Sequence, residues 1–153
     1  MGVSRGPYEH YAIYAGNGRV IHYCGEGSDF NGRVSVHEAP FDEFLKGSRS
    51  FFVLSFEGDT PGKIHFGIGP VLRPRVERYP IRISKTYSRE ETLKRAYSRI
   101  GEEKYNILTN NCEHFALWCK TGRSESTQVK TFIRLLAISG VGLTDPGLFP
   151  LIH

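Results

Sequence analysis

Apolar and polar positions alternate with a strand-like period in the first half of the chain and recur with a helical period after about residue 88. Tyr8-Glu9-His10-Tyr11-Ala12-Ile13-Tyr14 is rich in aromatic and β-compatible residues, and Val20-Ile21-His22-Tyr23 resembles it across Gly16-Asn17-Gly18. That pattern is a hairpin signature. A three-residue loop over Gly16–Gly18 sets Ala12 opposite His22, with His10 on the same face one diagonal step away, roughly 7–8 Å at Cα. A two-residue Asn17-Gly18 turn instead sets His22 opposite Ile13 and sends the two histidines to opposite faces. Cys24 to Ser35 is Gly-rich and polar and reads as a loop. Ser50 to Glu57 (SFFVLSFE) returns to strand composition, and Gly58 to Pro74, with its glycines and prolines, reads as an irregular connection. Val76 to Tyr87 is a further strand, in which Pro80 favours an edge or a bulge.

Two helices follow. Ser88 and Glu91 match a capping box, Leu93, Ala96, Tyr97 and Ile100 form an apolar stripe, and Gly101 is a stop, so a helix is predicted over Ser88 to Ile100. A second begins after Asn110-Asn111, either of which can cap it. It runs through Cys112, Phe115, Ala116 and Cys119 to Gly122. Strands early and helices late predict an α+β domain, an antiparallel sheet packed by helices.

At 153 residues the chain fits one domain with a core of its own, and 39% hydrophobic with 24% charged residues is ordinary for a globular protein. The net charge of +4 permits approach to an anionic membrane or nucleic acid without requiring it. An odd count of three cysteines, and no apolar signal core over Met1 to Tyr8, point to a reducing, cytoplasmic setting. The most apolar run, Leu135 to Leu143, is bounded by Arg134 and by Asp145-Pro146 and is shorter than the ~20 residues that cross a bilayer. Arg73, Arg75, Arg78, Arg82 and Lys85 read as a solvated face.

Cys112 falls in the first turn of its helix, where unpaired N–H groups and the helix dipole favour a thiolate. A nucleophilic thiol also needs a base, and the base works best when a third group orients it. The hairpin offers both, with His10 as base and His22 as orienting residue; the reverse assignment is equally compatible with the spacing. Helix-start N–H groups can help an oxyanion. A cysteine alone in a first turn is more often buried filler, and Cys24 and Cys119 are left as such. His37 and His65 read as surface residues and His114 as structural. His10, His22, Cys112 and His114 are conceivable zinc ligands, but Cys-x-x-Cys and His-x-x-x-His spacings are absent, so no metal is expected.

His10-Tyr11-Ala12-Ile13-Tyr14, His22 twelve positions after His10, and Asn111-Cys112-Glu113-His114-Phe115 resemble the H-box and NCEHF motifs of the lecithin:retinol acyltransferase-like family. The similarity is greatest to its phospholipase A/acyltransferase branch. Leu93 to Gly101, Tyr105 to Leu108 and Gln128-Val129 add to the likeness, whereas Gly25 to Lys85 does not resemble the family. The resemblance implies a permuted papain-like, NlpC-type fold, with a catalytic domain over 1–130 and an apolar tail over 131–153 that is shorter than the family's membrane anchor. It implies that Cys112 takes an acyl group from a glycerophospholipid as a thioester, with His10 as general base and His22 completing the triad. Water as acceptor gives phospholipase A1/A2 activity; an amine or a lysophospholipid gives acyl transfer. The implied setting is the cytoplasm or the periphery of a membrane, without metal or organic cofactor.

Two other classes compete. H-box/NC proteins of some picornaviruses are similar, which allows a non-enzymatic regulatory module binding RNA or a host protein. More distant NlpC-type relatives hydrolyse peptide or amide bonds. Both halves of the triad motif are present, which favours an enzyme.

Overall fold

The structure, a computed structural model, describes residues 1–25, 29, 32–56, 75–81, 85–106 and 110–123, with backbone alone at 55 and 75–81. Its elements are β1 (Gly2–Ser4), β2 (Glu9–Tyr11), β3 (Ile13–Gly16), β4 (Arg19–Cys24), β5 (Ser35–Pro40), α1 (Phe41–Leu45), β6 (Ser50–Phe56), β7 (Arg75–Ile81), α2 (Arg89–Tyr97) and α3 (Cys112–Thr121). One sheet has the order β2-β1-β6-β7 and a second the order β3-β4-β5. All pairings are antiparallel except β6 with β7, which run parallel, so the α+β class holds with one parallel pair added. Pro80 lies in β7, at the edge of its sheet, where a missing N–H is tolerated.

The hairpin resolves its register in a way that neither simple loop describes. Asn17 (φ 49°) and Gly18 (φ 71°) make a two-residue turn with both centres at positive φ, the twist that suits a hairpin. Ile13 pairs with Ile21 and Tyr14 with Val20, yet Gly16 pairs with Arg19, so Ala15 is an extra residue on β3. The bulge restores the register in which position 12 faces position 22, and the side-chain alternation follows from it. At Ala12, whose N–H donates to the Met1 carbonyl at 2.9 Å, the chain passes from one sheet to the other. β2 then pairs with β1, setting His10 opposite Val3. His10 and His22 therefore belong to different sheets that meet at this bend.

Two apolar clusters flank the strands. Tyr11, Ile21, Tyr23, Val36, Phe52, Ala96, Cys112, Phe115 and Cys119 pack where α2 and α3 cover the sheets. Val3, Ala12, Val20, Phe41, Phe44 and Phe51 pack around α1. Full burial of Phe41 and Phe44 contributes about 1.5–3 kcal/mol each, which explains a five-residue helix too short to persist alone.

The predicted helix over Ser88 to Ile100 is shorter here. Ser88 caps it by accepting from Glu91 N–H at 3.1 Å, but α2 ends at Tyr97 and tight turns run on to Gly101 (φ 84°). Its apolar stripe is only partly used: Ala96 is fully buried, whereas Tyr97 and Ile100 are 47% and 45% exposed. Arg95 locks α2 to α3, stacking on Tyr87 and Trp118 and donating to the Trp118 carbonyl at 3.0 Å. The connection Gly58 to Pro74, His65, the run Leu135 to Leu143, the boundary at 130, the tail 131–153 and the side chains of Arg73, Arg75, Arg78 and Arg82 lie outside the described residues. Among the described residues no helix is long and apolar enough to cross a membrane.

Candidate active site

The bend at Ala12 brings the two hairpin histidines into direct contact. His10 Nε2 and His22 Nδ1 are 2.8 Å apart, and the rings meet edge to face with centroids at 5.1 Å. Phe44 of α1 lies beside both rings, at 5.6 Å from His10 and 5.7 Å from His22. Both histidines are essentially inaccessible, at 0% and 1% exposure. Burial lowers His10 to about 4; burial, then the charges of His10 and His37, lowers His22 to about 2. The pair is thus neutral at physiological pH and shares a single proton across its hydrogen bond. Among the described residues His10 Nδ1 and His22 Nε2 have no hydrogen-bond partner.

Of the two asparagines predicted to cap the second helix, Asn111 does so. In extended backbone conformation (φ −96°, ψ −176°), it accepts from the His114 N–H at 3.0 Å, while its own N–H donates to His114 Nδ1 at 3.3 Å. The reciprocal box gives His114 the structural role expected of it, with histidine where glutamate or glutamine is usual. Gly122 (φ 74°) ends the helix as expected. Asn110 instead joins a polar cluster. Its amide donates to Tyr23 Oη at 2.9 Å, Glu102 Oε1 at 3.0 Å and the Lys104 carbonyl at 2.7 Å, and its Oδ1 accepts from Arg99 at 2.9 Å. Tyr23 also donates to Glu102. The start of α3 is thereby tied to β4 and to the turn after α2.

Cys112 is 3% exposed, and its Sγ lies 4.0 Å from the Glu9 carbonyl on the strand that carries His10. The backbone N–H groups of Tyr11 and Glu113 favour the thiolate, but burial outweighs them and pushes the thiol up to about 12. The activation anticipated from helix position alone is therefore exceeded by desolvation in this resting arrangement. The thiol rests against the backbone on either side of His10 without a hydrogen bond to its imidazole, a looseness common where such bonds tighten only with substrate.

Asp29 was hidden within the polar Gly-rich loop. At 3% exposure it accepts from Arg5 Nε and Tyr8 Oη on Oδ2 and from Lys46 Nζ on Oδ1, each at 2.9 Å, and Oδ2 lies 3.9 Å from His10 Nδ1. Burial alone would raise its carboxyl; the facing His10 and the Arg5 and Lys46 hydrogen bonds overcome this and hold it well below the usual range. Asp29 is thus an ionised group beside the atom of His10 that a base would use. Between Ser28 and Phe30, in a loop that also holds Glu26, it carried no distinguishing signal in the sequence.

The family model described as lecithin retinol acyltransferase matches residues 1–125. Phospholipase A and acyltransferase 3 of Mus musculus is 30% identical over 149 residues, covering 95% of this chain and 83% of the relative. Phospholipase A and acyltransferase 1 of Rattus norvegicus is 28% identical over 155 residues, covering 97% and 83%. Lecithin retinol acyltransferase of Rattus norvegicus is 28% identical over 135 residues, covering 85% of this chain and 56% of the relative, so the chain spans just over half of that protein. No solved structure gives a significant match. A family match over residues 1–125, most of the chain, makes this protein a member of the lecithin retinol acyltransferase family.

Proposed function

We propose that the protein is a cysteine-dependent phospholipase A and acyltransferase acting on glycerophospholipids. The observation that carries this reading is the buried His10–His22 hydrogen bond on strands that abut the Cys112 helix start. The names of its relatives support the same chemistry.

With His10 donating its Nε2 proton to His22 Nδ1, His10 Nδ1 keeps a lone pair and is the base; His22 fixes ring and tautomer. A thiol near 12 and an imidazole near 4 form a neutral pair, so proton transfer accompanies attack. The Cys112 sulfur bonds to the ester carbonyl carbon as its proton passes to His10 Nδ1. The Tyr11 and Glu113 N–H groups lie beside the sulfur, where they help hold the developing oxyanion. Collapse forms the thioester and releases the lysophospholipid, which takes the proton from His10. Water then gives fatty acid; an amine or lysophospholipid gives acyl transfer. Asp29 stabilises the imidazolium that forms in both steps. The chain works in the cytoplasm on lipid presented at a membrane surface.

Phosphatidylcholine in mixed micelles tests this. Wild-type protein is expected to release lysophospholipid and fatty acid, and Cys112→Ala to release none. A wild type without release under conditions where it is folded contradicts the proposal.

A further inference from the structure

On the face of β4 and β5 that His22 shares, three potential metal donors converge. His22 and His37 are direct cross-strand partners, with ring centroids 5.1 Å apart, and Cys24 follows His22 by two residues, hence on the same face. One ligand atom from each of the three lies within 4.8 Å of the other two. A tetrahedral zinc ion needs about 3.3–3.8 Å between such donors, so small side-chain rotations close the gap.

The surroundings of the two rings leave Nε2 of each as the nitrogen available to a metal. His37 Nδ1 is 3.3 Å from the Ser35 carbonyl; because that oxygen only accepts, Nδ1 carries the proton and Nε2 keeps its lone pair. In His22, Nδ1 is engaged by His10 while Nε2 is buried without a partner among the described residues, in a ring 1% exposed. An orphaned nitrogen in so buried a ring calls for a ligand. The Cys24 thiol, 5% exposed, completes a two-nitrogen, one-sulfur set suited to zinc. Cys-x-x-Cys and His-x-x-x-His spacings describe turns and helices; here the donors are brought together by strand alternation and pairing.

We infer that His22, Cys24 and His37 form a zinc site whose occupation switches off the His10–His22 pair. On binding, the Cys24 S–H bond breaks, its electron pair goes to the metal and the proton leaves to solvent. Zinc displaces the proton that His22 Nε2 carries in the resting pair and takes the freed electron pair, so that the His22 proton moves to Nδ1. That proton is then donated to His10 Nε2, and the remaining His10 proton sits on Nδ1. The nitrogen that must accept the Cys112 proton is thereby blocked. This second step rests on His10 Nδ1 being the base; the metal site itself does not.

Titration of the metal-free protein with cobalt(II) tests the site. One equivalent is expected to produce a thiolate-to-cobalt charge-transfer band that persists in Cys112→Ala, disappears in Cys24→Ser, and needs at least tenfold more metal in His37→Ala. No band, or a band lost in Cys112→Ala and kept in Cys24→Ser, overturns the site. Nitrogen NMR of the histidine rings tests the switch without an activity readout: zinc is expected to move the His10 proton from Nε2 to Nδ1, and an unchanged tautomer overturns the switch. In the lipid assay zinc is expected to cut wild-type turnover at least tenfold while Cys24→Ser, active without metal, is unaffected. Equal inhibition of that variant also overturns the switch.

Discussion

In the mechanism proposed, the resting state of Cys112 sets how the thiol is activated, and it can be measured directly. Burial moves the thiol from an ordinary 9.0 to about 12, so at pH 7 the folded chain holds about a thousandfold less thiolate than the same residue unfolded. Higher basicity makes the remaining thiolate more nucleophilic, by about twentyfold over three units at a Brønsted slope near 0.45. The net expectation is that a small disulfide reagent modifies native Cys112 about fiftyfold more slowly than urea-unfolded Cys112. Its 3% exposure slows the reaction further. Peptide mass spectrometry at timed intervals separates Cys112 from Cys24 and Cys119. Between pH 7 and 9 the native rate is expected to rise about tenfold per unit without a plateau. Native Cys112 reacting as fast as the unfolded residue, with an inflection below pH 8, would show a preformed thiolate–imidazolium pair and refute the neutral-pair mechanism.

Asp29→Asn removes the charge that Arg5 and Lys46 neutralise, and urea unfolding is expected to show a loss of about 3 kcal/mol, at the low end for a broken buried pair because Arg5 keeps the Phe44 and Leu45 carbonyls. A loss below about 1 kcal/mol contradicts that account. Asn111→Ala should cost about 1–2 kcal/mol of stability through the lost cap and lower kcat more than KM, because the cap aims the Cys112 turn; rescue by Asn111→Asp is expected in unfolding and turnover measurements alike. Arg99, outweighing the effect of burial, lowers Glu102 from 4.5 to about 2. A folded value below the unfolded one makes this stabilisation complete above pH 4.5 and lost as pH falls towards 2. Thermal unfolding across that window should therefore depend less on pH in Glu102→Gln.

Local signals in the sequence were sufficient wherever a short stretch of chain carried the whole physical reason. Asn111 and Gly122 bound α3 because a cap and a left-handed stop act within a turn or two, and Ser88 caps α2 for the same reason. Gly101 marked the end of the turns rather than of the helix: the apolar period extended α2 to Ile100, whereas it ends at Tyr97, and Tyr97 and Ile100 are half exposed. β5 and α1 were not legible, since β5 is defined by pairing with β4 and α1 by burial of Phe41 and Phe44.

The candidate site divides in the same way. Residue types and the spacing of His10, His22 and Cys112 pointed to the family in the sequence by itself, and to the chemistry proposed for it. Their relation in space did not follow from spacing, because loop length left two opposite faces open to His22. A single extra residue, Ala15, decides between them, and a bulge is a property of the ladder rather than of the residue. Asp29 beside His10, and His37 beside His22, come together only through contacts between separate segments. The sign of the Cys112 shift was likewise tertiary: a helix start favours a thiolate locally, but desolvation depends on everything packed around it, and here desolvation is larger.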